Sequence, residues 1–214
     1  MPMVKQNGKT NGEVYKVKPG NSKYVDVNKD GVYNDADQGI IGCGQPTFNW
    51  GWNNTFNYKN FDFSFFVVGF HGFDIYNATH QMGYNLIKSQ QMAGVTPMRE
   101  LLNRWTPTNT NTDIPGFVKG GTENKDFFST RFVENGSFIK MKSITLGYTL
   151  PEATCRSLGI NNLRVYASVQ NPFHITKYSG LDPEATMGSP LVQGVDWGAY
   201  PNSRNYLIGL NFSF

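Results

Sequence analysis

The sequence predicts an all-β chain. About five strands would form the C-terminal part of a large antiparallel transmembrane β-barrel with long extracellular loops and one short loop helix. Three observations lead there: strands that set a large apolar face against a small uncharged one, connections that alternate short and long, and too few strands to close. About eight strands is the practical minimum for a membrane barrel, so the chain reads as part of something larger. Composition agrees, with 14% aromatic and 16% charged residues, against roughly 25% charged in soluble domains. A net charge of +3 without a dense Lys/Arg tract argues against a nucleic-acid partner.

The first strand is read over 47–58. From Phe48 to Tyr58 the even positions are mostly large and aromatic, and the odd ones are Asn, Gly or Thr. A soluble sandwich strand would carry Lys, Glu or Arg on its outer face; a lipid side and a wet side account better for this pattern. Lys59-Asn60 then makes a two-residue turn into a second strand, 61–71, whose alternation runs through Phe61, Phe63 and Phe65. A third, 137–150, sets Ile144, Leu146, Tyr148 and Leu150 against Ser143, Thr145, Gly147 and Thr149 and ends at Pro151. The fourth, 162–171, alternates Leu163, Val165, Ala167 and Val169 with polar neighbours. The last, 203–214, puts Tyr206, Ile208, Leu210, Phe212 and Phe214 on one face. A terminal aromatic closing such a strand resembles the signal read by the barrel-assembly machinery.

The connections measure about 2, 65, 12 and 32 residues in order, matching short periplasmic turns and longer extracellular loops. With the C-terminus in the periplasm, segments 72–136 and 172–202 lie outside, as does the loop segment 1–46, while 47–214 forms the barrel part. The longest purely apolar run, Phe65 to Phe70, is far shorter than the roughly 18 to 20 residues of a spanning helix, so any membrane crossing is by strands. The beginning, Met1 to Gly8, has no apolar signal core, so the chain as written is not expected to direct its own export.

Asp26, Asn28, Asp30, Val32, Asn34 and Asp37 follow the spacing of a calcium loop, with Gly31 at the sharp turn. Oxygen donors so spaced wrap a hard cation in a structural role, although Asp37 stands where a longer bidentate Glu is usual. A solvated Asx-rich turn is the alternative. Thr96 to Trp105 reads as a short loop helix, with Thr96 as N-cap, Pro97 in the first turn and Met98, Leu101, Leu102 and Trp105 at helical spacing. Cys43 falls outside the cell and Cys155 in a periplasmic turn, separated by an apolar band about 25 Å tall. A disulfide tolerates Cα atoms only about 7 Å apart, so no bond between them is expected. Trp197, Tyr178 and Tyr200 are candidates for stacking on sugar faces, with rim or loop packing as the alternative. His71, His80 and His174 are scattered, no G-x-S-x-G is present and Gly42-Cys43-Gly44 lacks the rest of a phosphate loop, so an enzyme is not expected.

Taken together, several ordered segments resemble the SusC/RagA family of TonB-linked (TonB-dependent) outer-membrane transporters. They include Tyr24 to Gly31, Phe48 to Phe56 with Tyr58 to Asp62, Asn103 to Pro107 with Asn111 to Pro115, and Ser129 to Phe138. Ile144 to Pro151, Leu163 to Tyr166 leading into Gln170 to Phe173, and Tyr178 to Pro183 continue the series. The resemblance covers residues 13 to 214 and implies a barrel of about 22 strands closed by an N-terminal plug. It also implies import of glycans, peptides or similar large nutrients, a SusD-like surface lipoprotein as lid, energy from the TonB complex and a bacterial outer-membrane location. Signal, plug, TonB-contacting segment and most of the barrel have no counterpart in these residues. The alternative from the residues alone is a secreted calcium-binding β-sandwich or adhesin-like module, which leaves the uncharged aromatic face and Phe214 unexplained.

Overall fold

The computed structural model describes residues 19–22, 24–30, 35–84, 97–116, 129–187 and 192–214. Two compact units are built from interleaved pieces of the chain: Met1–Gly44, Asp74–Glu134 and Ser189–Ala199 in one, Gln45–Phe73, Asn135–Gly188 and Tyr200–Phe214 in the other.

The second unit holds a five-stranded antiparallel sheet. Its strands are β1 (Phe48–Tyr58), β2 (Phe61–His71), β5 (Phe138–Thr149), β6 (Asn162–Thr176) and β8 (Asn205–Ser213), paired in that order. These are the five strands expected from alternation. The Lys59-Asn60 turn holds Lys59 at φ +51°, and Asn60 closes onto Thr149 through its backbone carbonyl and its side-chain amide. Strand β6 runs five residues past its predicted end. Pro172 lies within it, where the β5–β6 register shifts, so the missing Pro N–H removes no ladder bond. The β5–β6 connection carries a helix, α2 (Glu152–Ser157), with Cys155 buried beneath it.

Because side chains alternate across a strand, the register sorts residues into rows on two faces. One row on the first face is Phe56, Phe63, Leu146, Ala167, Ile208, and the next is Tyr58, Phe61, Tyr148, Val165, Leu210. Rows on the second face are Thr55, Ser64, Thr145, Ser168, Leu207 and Asn57, Asp62, Gly147, Tyr166, Gly209. The apolar face stays open, with Phe56 54%, Leu146 50% and Ile208 80% exposed. Near the start of β5 the buried ring of Phe138 stacks on Phe70 and meets Phe73 edge-on.

The first unit contains three short strands, β3 (Asp74–Asn77), β4 (Val133–Asn135) and β7 (Val195–Asp196), in the order β4-β3-β7, with β3 and β7 parallel. At two to four residues each they are too short to show a period. Helix α1 (Ala78–Tyr84) follows β3, and a core of Tyr76, Ala78 and Phe132 packs with Tyr84, Val133 and Val195. The predicted loop helix is a 3-10 turn, Arg99–Asn103, preceded by Met98 in extended conformation. Leu101 is buried as helical spacing requires, but Leu102 is exposed, because three residues per turn places it off the packed side. Thr96 lies outside the described residues. Neither Cys43 nor Cys155 is in a disulfide. Among the described residues no helix is long and apolar enough to cross a membrane.

Candidate functional site

The second face of the large sheet is cross-linked by polar groups. Arg164 on β6 donates two hydrogen bonds to Asp62 on β2, Nε to Oδ1 at 2.9 Å and Nη2 to Oδ2 at 2.5 Å. The pair reaches across β5 at Gly147, where a Cβ would stand 2.3 Å from Asp62 Oδ1 and 2.5 Å from Arg164 Nη2. Glycine is therefore what lets these charges meet. The guanidinium also lies 5.0 Å from the Tyr166 ring, which covers Gly209 of β8 in the same way. Further along, Thr145 and Ser168 share a hydrogen bond of 2.8 Å, and Asn205 donates to Gln170. Fixed hydroxyls, amides and one planar ion pair make this a face suited to water and polar solutes.

At the other end of the same face Lys140 is 2% exposed and paired with Asp182 at 2.8 Å and Glu184 at 2.7 Å. Lys142 bonds the other oxygen of Glu184. Asn202 adds a backbone N–H to Asp182 and a side-chain amide to Glu184. Burial alone would raise both carboxyls. Together, the Lys140 ammonium with the Asn202 and Glu184 N–H groups at Asp182, and Lys140 with Lys142 at Glu184, outweigh it, so both are held below their ordinary values.

In the first unit Tyr84 donates to Glu100, which also approaches His80 at 3.4 Å. Burial, then Glu100, pushes the Tyr84 hydroxyl up to about 12. The Tyr84 and His80 bonds lower Glu100. His80 Nδ1 lies 3.9 Å from Glu134, which accepts from Asn77.

The residues singled out in the sequence fall as follows. Val32 and Asn34 lie outside the described residues. Asp37 Oδ1 accepts the Val27 N–H at 2.9 Å, Asn28 Oδ1 accepts the Asp30 N–H at 3.0 Å, and Asn28 Nδ2 donates to Asp30. Among the described residues no group of three or more His, Cys, Asp or Glu converges as a metal cluster would. Tyr178 departs from its expected role: it is 5% exposed with its ring packed over Gly180, so no face is left for a sugar. Trp197 and Tyr200 are 59% and 88% exposed. Tyr206, Ile208, Leu210, Phe212 and Phe214 are all exposed, with the first four on the apolar face of β8. Sequence reasoning missed Asp62, Arg164, Lys140, Lys142, Asp182 and Glu184. For the four in strands the available signal was charge inside strands otherwise nearly free of it; Asp182 and Glu184 lie in the β6–β8 connection and carried no such signal.

No family model matches the chain. It is 36% identical over 202 residues to TonB-dependent receptor P3 of Formosa agariphila, across 92% of this chain and 19% of that protein. It is 32% identical over 199 residues to TonB-dependent receptor SusC of Bacteroides thetaiotaomicron, across 92% and 18%. Among solved structures it superposes on a chain of the RagAB peptide importer in the closed-closed state with a TM-score of 0.71, at 27% identity over 85% of this chain and 19% of that one. The chain belongs to the SusC/RagA-type TonB-dependent receptors. Its open sheet is a section of their β-barrel, not half of a sandwich, and it spans about one fifth of the length of the relatives it matches. Those relatives are receptors and transporters, not enzymes. In this family the open apolar face of the sheet is the outer one and the cross-linked polar face the lumen side.

Proposed function

We propose that the chain is the C-terminal part of the barrel of an outer-membrane importer for glycans, peptides or similar large nutrients. The observation that carries this is the pair of faces: rows such as Phe56–Phe63–Leu146–Ala167–Ile208 left open, backed by a face whose charges are paired, Asp62 with Arg164 across the sheet and Lys140 and Lys142 with the β6–β8 connection. That is the inverse of a soluble sheet and suits lipid outside and water inside. A SusD-like surface lipoprotein serves as its partner, and the TonB complex drives it through parts of the protein outside these residues. The test is uptake of labelled oligopeptides and oligosaccharides by cells with and without the full-length gene, before and after collapse of the proton gradient. Energy-dependent loss of one class on deletion supports the reading; unchanged uptake of both removes it.

Within that protein, Trp197 and Tyr200 offer exposed rings for stacking on the nutrient. Binding lost in Trp197→Ala with assembly intact supports this, and unchanged affinity removes it. The loop Asp26–Asp37 is a candidate calcium site on its donor spacing. Calcium titration of the full-length protein, with and without Asp30→Ala and followed by calorimetry, decides between a cation site and an Asx turn.

A further inference from the structure

A four-charge cluster, buried at Lys140 and Asp182 and partly exposed at Lys142 and Glu184, joins β5 to the β6–β8 connection, and it contains more than an anchor needs. Lys140 lies opposite His174 in the β5–β6 register. Lys142, two residues on, has no partner in either neighbouring ladder, because the register slips between Phe66 and Val67 on one side and between Met141 and Ser143 on the other. Such a bulge re-aims a side chain. Here it brings Lys142 to Glu184, the carboxylate that Lys140 also holds, so that one glutamate is bracketed by two ammonium groups. Asp182 and Lys140 have side chains 3% and 2% exposed. The far end of the connection is tied to the same point by Asn202, and Asn171 of β6 separately donates to the Ser203 carbonyl at 3.1 Å.

We propose that these four charges form a clasp that fixes both ends of the β6–β8 connection to strand β5, so that they open only together with that strand and do not move as a separate lid. Two cations and two anions cancel, and each carboxylate is met by an ammonium and an amide N–H, which leaves little to gain from partial release. Freeing the connection alone would strip charge-assisted bonds from every member at once. The proposal is independent of the nutrient carried and rests on the barrel reading only for what lies beyond the inner face.

The test is amide hydrogen exchange on the full-length folded protein in detergent, comparing peptides covering 182–187 and 200–203 with one covering 138–142. The clasp predicts similar slow exchange in all three, and in Asp182→Asn a joint acceleration of roughly tenfold or more. Should Asp182→Asn fail to assemble, Lys142→Met, which keeps the Lys140–Asp182 pair, should give a smaller joint acceleration. Loop peptides that exchange more than about tenfold ahead of 138–142 in the unaltered protein, or that accelerate alone in either variant, would overturn the proposal. Because exchange is read on the folded protein, a chain that carries no nutrient still reports on the clasp.

Discussion

The two faces of the large sheet are made from the same strands yet solve opposite problems. On the outer face nothing covers Leu146 or Ile208, and the polar contact recorded there is the Trp50 indole N–H to the His71 ring at 3.2 Å, at one end of the sheet. On the inner face the polar groups sit close enough to satisfy one another: Asp62 with Arg164, Thr145 with Ser168, Asn205 with Gln170. The lesson is that one alternating register can hold two solvents apart, provided the wet face ties up its charges and the dry face has none.

Breaking that arrangement should be most damaging where charge is most buried. Lys140→Met leaves Asp182 without its ammonium and should destabilise the full-length folded protein by about 3–5 kcal/mol, measured by denaturant unfolding from lipid vesicles. Leu146→Arg places a charge on the lipid side and should lose about 2–4 kcal/mol, while Thr145→Arg, one residue along on the inner face, should lose far less. Equal losses for the two would contradict the assignment of faces. Gly147→Ala pushes a methyl between Asp62 and Arg164 and should forfeit their pairing, at about 1–3 kcal/mol. Its effect should shrink when Asp62→Asn and Arg164→Gln are already present. The smallest expected effect is on pH. Asp182 and Glu184 have carboxyls lowered in the folded state, so their contribution is complete above the ordinary carboxylate range and is lost as pH falls through the depressed folded values. Stability should therefore be insensitive to these groups from about pH 8 to 5 and decline below about 4, less steeply in Glu184→Gln.

The strands were legible because alternation over nine or more residues is a strong signal, and the five long strands of the sheet carry it from Phe48 to Ser213. The end of β6 was not, since Pro172 mimics a stop unless the bulge beside it is known. The polar cross-links were hidden for another reason. Asp62 and Arg164 lie 102 residues apart, and only the register shows that Gly147 between them opens the gap. Lys140 and Lys142 are the charges of β5, but alternation alone could not bring both to the Asp182–Glu184 turn. Tyr178 illustrates the converse: residue type suggested a surface ring, and packing over Gly180 buried it.

The most direct test of the central claim is a cysteine scan along β5 in the full-length protein in lipid vesicles, with Cys43 and Cys155 replaced by Ser. Ser143→Cys, Ile144→Cys, Thr145→Cys and Leu146→Cys would each carry an environment-sensitive fluorophore, quenched either by a lipid-bound or by a water-soluble quencher. Lipid quenching at 144 and 146 with aqueous quenching at 143 and 145 is the predicted result. Uniform aqueous quenching, or the opposite alternation, would contradict the account.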